Sequence, residues 1–284
     1  MQESSARVRT FLLPSHECLA THGWVQSPIP VERIEMPSAR EFVTRYVRRS
    51  RPVILAGAAQ DWPARTRWKP AELARRFSDR SVPVVRAGRR GSFFDQRDGV
   101  TYDSLPVPTY VDAIAARRSD LYMIFRVHEH LPELLDDVRL PEVCARAAWF
   151  RARFWFAAED TAGPLHADLP HNLYAQVIGR KQFLMAHHRQ TARLYPFPPW
   201  SGIPNYSRVD AEQPDLARFP RFARVKLQLA TLEPGDILYI PSLHWHQARA
   251  LSDSASINLW WADGALREVV RLAEWFMKAR GLNL

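Results

Sequence analysis

Two residues, His166 and Asp168, constrain this chain more than any other feature of its sequence. In Pro164-Leu165-His166-Ala167-Asp168 they stand two apart, and in extended chain such side chains leave the same face. An imidazole and a carboxylate on one face form two corners of a 2-His-1-carboxylate metal site, which leaves three iron positions open. A His-x-Asp tripeptide arises often by chance, so a third ligand must come from a distant strand. A chain that uses this pair must therefore fold strands far apart in sequence around one interior.

The stretch Glu233-Pro-Gly-Asp-Ile-Leu-Tyr-Ile-Pro-Ser-Leu-His-Trp-His246-Gln offers that ligand. Pro234-Gly235 marks a tight turn, Ile237 to Ile240 reads as a short buried strand, and Pro241 ends it. His246 and His244 stand two apart and would share a strand face, so both are candidates. His171, His187 and His188 have no partner at ligand spacing and are expected on the surface or on a pocket wall. Between the two ligand segments, Asn172 to Ile178 reads as a polar strand. Gly179-Arg180 is a turn, and a third strand opens on Lys181.

The His-x-Asp, a lysine thirteen residues after the Asp, and the downstream Pro-Gly-Asp-Ile-Leu-Tyr-Ile-Pro and Trp-His together resemble the JmjC-type, cupin-like hydroxylases, which use Fe(II) and 2-oxoglutarate. The similarity runs from about Arg153 to Ala262. A weaker echo lies upstream in Arg51-Pro-Val-Ile-Leu, Asp61-Trp-Pro-Ala and Trp68. The resemblance implies a mainly β fold with α: a double-stranded β-helix (jelly-roll barrel) flanked by N-terminal helices and a C-terminal helix. It places the last metal ligand directly after the tryptophan, so His166, Asp168 and His246 become the expected iron ligands and catalytic residues. Lys181 is expected to pair with the distal carboxylate of 2-oxoglutarate, which an apolar barrel tolerates only beside a cation and hydroxyl donors. By the same resemblance Asn172 and Asn258 hydrogen-bond the co-substrate, and Tyr122 supplies a hydroxyl to its distal carboxylate. Relatives often carry a threonine three residues before the first ligand; here Gly163 stands there, with Thr161 two residues earlier.

The implied activity is oxidative decarboxylation of 2-oxoglutarate to succinate and CO₂ with O₂, coupled to hydroxylation of a substrate C–H bond. The substrate could be a protein side chain, a tRNA base or a small molecule, and demethylation follows only if the oxidised carbon sits on an N-methyl group. Two other readings stay open: a non-oxidative, isomerase-like metal cupin, which would not need Lys181, and a catalytically inactive binding module, which typically loses a ligand.

Composition narrows the rest. No apolar run approaches the length of a membrane span, so no membrane partner is expected. The N-terminal residues lack the pattern of a secretory signal, and two cysteines, Cys18 and Cys144, are too few for a disulfide framework. A reduced, cytoplasmic protein is expected. Net charge is +9, yet only Lys69, Lys181, Lys226 and Lys278 are lysines, and the arginines are spread along the chain. A solvated basic surface is the simpler reading than a nucleic-acid footprint.

The organisation expected is a lead-in over 1–30, one catalytic domain over 31–262 with its barrel core from about 150, and a C-terminal helix over 263–284. Pro37-Ser38 should cap a helix, Pro70 should open another, and 88–99 reads as a turn-rich hairpin loop. Arg189 to Arg224, with six prolines among aromatics, reads as a substrate lid whose side chains touch substrate rather than iron. In the last helix Leu266, Val269, Val270, Ala273, Phe276 and Met277 form one apolar stripe, while Leu272 and Trp275 fall off it. That second patch leads to the expectation of a homodimer through this helix.

Overall fold

The computed structural model describes residues 27–87, 101–145, 147–201 and 203–279. Most of the expected lead-in, Cys18, the 88–99 hairpin loop and the Met277 side chain lie outside the described residues.

Fourteen strands are present among the described residues: β1 (Ile29–Pro30), β2 (Arg33–Ile34), β3 (Val53–Leu55), β4 (Ser81–Arg86), β5 (Thr101–Pro106), β6 (Leu121–Arg126), β7 (Trp149–Ala157), β8 (His166–Ala167), β9 (His171–Ile178), β10 (Lys181–Ala186), β11 (Gln228–Leu232), β12 (Ile237–Ile240), β13 (Trp245–Ala250) and β14 (Ser254–Ala262). They form two sheets. The smaller has the order β1-β11-β10-β13-β8, and the larger β2-β3-β12-β9-β14-β7-β6-β4-β5. This is the jelly-roll, cupin-like architecture expected from the sequence.

Alternation along the strands builds the layers. From the larger sheet, Leu173, Ala175 and Val177 of β9 and Ala255, Ile257 and Leu259 of β14 turn outward. They pack on Phe42, Trp68, Leu73, Tyr110 and Ile114 of the N-terminal helices in one large core. Intervening residues face inward, where Tyr174 and Leu238 meet Phe183, Met185, Ala230 and Leu232 of the smaller sheet. Ser38 caps its helix as expected, accepting from the Glu41 N–H, and Pro70 opens the helix Pro70–Arg76.

A buried carboxylate ties the N-terminal strands to the barrel. Asp236 accepts from both Arg33 guanidinium nitrogens at 2.6 and 2.7 Å and from the backbone N–H groups of Gly57 and Glu233. The turn before it needs Gly235 at φ +99°, and a Cβ there would lie 2.3 Å from the Gln60 side chain. The Pro-Gly-Asp motif is thus structural.

The 189–224 segment packs as a layer: Leu194, Tyr195, Phe219 and Phe222 cover Leu184, Ala186 and Trp245 on the outer face of the smaller sheet. One expectation is revised. In the helix Gly264–Ala279, Val270 is buried against Trp149 and Ala262, with Leu266 beside it. Val269 and Phe276 are exposed together with Leu272 and Trp275, so the apolar stripe splits between barrel and solvent.

Asp236→Ala would strand a partly buried guanidinium and two N–H groups. A loss of about 3 kcal/mol is expected, read as a lower denaturation midpoint in urea.

Candidate metal centre

His166 opens the short β8, and β13 runs antiparallel beside it with His246 directly opposite. In antiparallel pairing, opposed residues project to the same face. Asp168 follows β8, and its carboxylate lies 3.9 Å from His166 Nε2 and 3.7 Å from His246 Nε2. One donor atom from each of the three lies within 4.8 Å of the others, a spacing that admits one metal ion.

The tautomers suit ligation. His166 Nδ1 donates to the Pro164 carbonyl and His246 Nδ1 to the His244 carbonyl, each at 2.9 Å. A carbonyl can only accept, so both Nδ1 atoms carry a proton and both Nε2 atoms are turned toward Asp168. Burial, then the neighbouring His166, pushes the His246 pKa down against the pull of Asp168, so its imidazole is neutral at physiological pH. Asp168 is fixed by Trp260, whose indole N–H donates to it at 3.0 Å.

His244 does not compete. It precedes β13 after a turn at Leu243 (φ 59°), and its Nε2 meets Gln228 Oε1 at 3.2 Å. Its ring lies 5.4 Å from that of His187, which meets the His188 ring, tilted, at 4.1 Å. His171 packs on the outward side, against Trp261 and the Tyr239 hydroxyl. Burial pushes His244 down to about 3 and His171 to about 4.

Lys181 is fully buried at the start of β10. Its ammonium donates to the hydroxyls of Tyr174 at 2.7 Å, Tyr122 at 3.3 Å and Ser256 at 3.4 Å, and Tyr174 and Ser256 bond each other. Among the described residues it meets no carboxylate within salt-bridge distance. Burial alone pushes its pKa down to about 7. Contacts run unbroken from there to the histidines: Tyr174 packs on Phe183 at 4.8 Å, and Phe183 lies 6.4 Å from His246. Asn172 is buried with its Oδ1 unpaired, and Asn258 Oδ1 accepts from the Trp155 indole at 2.6 Å. A Cβ at Gly163 would meet nothing within 4 Å, so sterics do not explain the missing threonine. The hydroxyls beside the lysine are those of Tyr122, Tyr174 and Ser256, whereas the Thr161 hydroxyl is buried without a partner.

Sequence reasoning missed Tyr174, Ser256, Trp260 and Tyr206. The first three were within reach of the alternation already in use: Tyr174 lies two residues after Asn172, and Ser256 and Trp260 flank Asn258 at the same interval. Tyr206 carries no such signal. It comes from the 189–224 segment, bridges to His166 and stacks on its ring at 5.4 Å. There the segment packs on the ring of a candidate ligand.

The family description "cupin-like domain" matches residues 38–265. The chain belongs to this family. It is 31% identical over 248 residues to lysine-specific demethylase 8 of Xenopus tropicalis, covering 84% of this chain and 54% of that protein. To the protein of the same name in Danio rerio it is 30% identical over 238 residues, with 82% and 58% covered. To tRNA wybutosine-synthesizing protein 5 of Gallus gallus it is 24% identical over 256 residues, with 83% and 78% covered. The chain thus spans little more than half the length of the first two relatives. No helix among the described residues of this cupin-like chain is long and apolar enough to cross a membrane.

Two outcomes follow from this cupin-like site. Trp260→Phe removes the donor that orients Asp168, and Mn(II) affinity measured by calorimetry should fall about tenfold. Between pH 7 and 10.5 an unfolded chain carries a proton on Lys181 that the folded chain has released, so stability from this group rises with pH across that window. Lys181→Met should lose that rise and be at least as stable as the parent at pH 7, read from thermal melts across pH.

Proposed function

We propose that this chain is an Fe(II)- and 2-oxoglutarate-dependent oxygenase that hydroxylates a C–H bond. The observation that carries the reading is the pairing of two unusual features in one interior: a His-Asp-His donor set and a buried ammonium ringed by hydroxyls with no carboxylate beside it among the described residues. Two imidazoles and one carboxylate on one side suit Fe(II) and leave coordination positions for a co-substrate and O₂. The ammonium with its ring of hydroxyls supplies the cation and donors that the far end of an elongated dicarboxylate needs. The donor set and its surroundings therefore fit the group.

His166, Asp168 and His246 would hold the iron, and Lys181 with the Tyr122, Tyr174 and Ser256 hydroxyls would hold the distal carboxylate of 2-oxoglutarate. When bound, iron and 2-oxoglutarate supply the means to oxidise a C–H bond with O₂ while succinate and CO₂ are released. The chain's own residues bind and orient. Trp260 fixes Asp168, the two backbone carbonyls fix the imidazoles, and Phe183 and Met185 keep the space between the two ends apolar. An ammonium with a pKa near 7 gains its proton fully when the carboxylate arrives. Co-substrate affinity should therefore weaken as pH rises above about 7.

The names of the relatives point to lysine-specific demethylation and to tRNA wybutosine synthesis, and a protein side chain, a tRNA base or a small molecule remain the substrate classes under this proposal. A non-oxidative cupin would leave Lys181 unexplained, and an inactive binding module would leave the complete donor set unexplained. For assembly we propose a homodimer through the C-terminal helix, supported by Val269, Leu272, Trp275 and Phe276 on its exposed side. A buried free thiol at Cys144 is compatible with a reducing, cytoplasmic setting.

Succinate release with iron and 2-oxoglutarate, against cell extract split into protein, RNA and metabolite fractions, tests the activity and sorts the substrate class. Asp168→Ala should reduce turnover by at least a hundredfold with the fold retained by circular dichroism. Lys181→Ala should raise the 2-oxoglutarate requirement more than tenfold, and Lys181→Arg should not restore it, because a guanidinium is larger and planar. Unchanged 2-oxoglutarate affinity in Lys181→Ala would remove the assignment. A monomer in light scattering at micromolar concentration would remove the dimer.

A further inference from the structure

Arg153 is a half-buried arginine with no role in the scheme above. It lies on β7, opposite Asn258 of β14 on one side and Arg126 of β6 on the other. Its guanidinium carbon lies 4.9 Å from the Trp260 ring centroid and 5.9 Å from that of Trp155. Those are the indoles that donate to Asp168 and to Asn258. The cation is therefore one indole away from a metal ligand. Period-2 alternation puts Arg153 on the same face of β7 as Trp155, toward the interior.

Several arginines of this protein are matched by a carboxylate. Arg33 has Asp236, Arg76 and Arg67 share Asp137, and Arg249 has Glu212. Near Arg153, Arg126 is engaged by Glu129 at 2.6 Å and Arg151 lies 3.7 Å from Glu274. Among the described residues Arg153 has neither a carboxylate within salt-bridge distance nor a hydrogen-bond acceptor; its close contacts are the two rings. Burial lowers its pKa, and Asp168 is the largest opposing influence without forming a pair. A guanidinium leaves water at a cost, and stacking on indole recovers only part of it. What remains is a planar fork of N–H donors, flanked by two indoles and with no protein acceptor among the described residues.

We propose that Arg153 anchors the substrate by a carboxylate, so that the molecule oxidised at this site carries an acidic group close to the reacting carbon. The proposal rests on the oxygenase reading and deepens it. Charge bookkeeping agrees: a divalent iron, the Asp168 carboxylate, a doubly charged 2-oxoglutarate and the Lys181 ammonium sum to zero. Arg153 is then the uncompensated cation, and one carboxylate balances it. A lone fork matches a single carboxylate through two parallel hydrogen bonds. A nucleic-acid strand would instead call for several cations tracking phosphates, and the neighbouring arginines are already engaged. The carboxylate could belong to an aspartate or glutamate side chain of a peptide or to a small organic acid.

The test uses the full chain loaded with Mn(II) and saturated with 2-oxoglutarate under anaerobic conditions, so that the Lys181 end is filled. Binding of 2-oxoglutarate is measured first; its absence would remove the oxygenase reading itself. Tryptophan fluorescence then follows titration with N-acetyl-glutamate amide, N-acetyl-glutamine amide, N-acetyl-lysine amide, glutarate monoester and diethyl phosphate. The two carboxylate probes should bind at least tenfold more tightly than the glutamine, lysine and phosphate probes, and their ranking separates a peptide side chain from a small acid. In Arg153→Gln the glutamate-to-glutamine ratio should collapse to about one, and in Arg153→Glu the lysine probe should become the preferred one. These are ratios within one variant, so partial loss of folded protein does not mimic them. Normal 2-oxoglutarate binding with no carboxylate preference, a preference that survives Arg153→Gln, or tighter binding of diethyl phosphate would overturn the anchor and leave the oxygenase reading standing.

Discussion

The register between β8 and β13 is the constraint on which the site depends. His166 and His246 face each other across one antiparallel pair, and the interior identity of both follows from that single alignment. A slip of one residue would turn His246 outward and bring a neighbour inward. Several contacts hold the alignment. The Leu243 N–H donates to the Asp168 carbonyl at 2.7 Å, β10 pairs with the other edge of β13 over six residues, and the Tyr206 segment bridges to His166. The 189–224 layer is thus part of the scaffold of the candidate metal centre, for its core packs directly behind β8, β10 and β13.

The interior is graded in polarity. At one end a buried ammonium sits among hydroxyls, at the other two imidazoles meet a carboxylate, and Phe183 and Met185 lie between them. A dry apolar spacer strengthens electrostatics at both ends. It also makes the lysine costly unless a carboxylate joins it, which is why its pKa falls so far when alone. Trp155 and Trp260 then link the interior to Arg153 through their rings and to Asn258 and Asp168 through their N–H groups.

Outside the barrel, buried carboxylates do a different job. Asp236 collects Arg33 and two N–H groups, and Asp137 collects Arg67, Arg76 and the Trp68 indole. Both are acceptors for donors arriving from distant segments, so they join the N-terminal layer to the sheet it covers. Both are matched by cations, whereas Lys181 and Arg153 have no carboxylate within salt-bridge distance among the described residues.

Much of this was written in local sequence. The two-residue interval of His166 and Asp168, the strand Ile237 to Ile240 closed by Pro241, and the turn before Lys181 need only alternation and turn chemistry to be read. Ser38 and Pro70 likewise mark helix starts from their own side-chain and backbone properties. Tertiary structure decided the rest: that the Trp260 indole reaches Asp168 across 92 residues, that Tyr206 lies on His166, that His244 turns to Gln228, and that Val269 and Phe276 face solvent. Local backbone preference fixes which way a side chain alternates within its own strand. Which side chain it then meets is set by register and packing between segments far apart in sequence, and no short stretch of sequence carries that information.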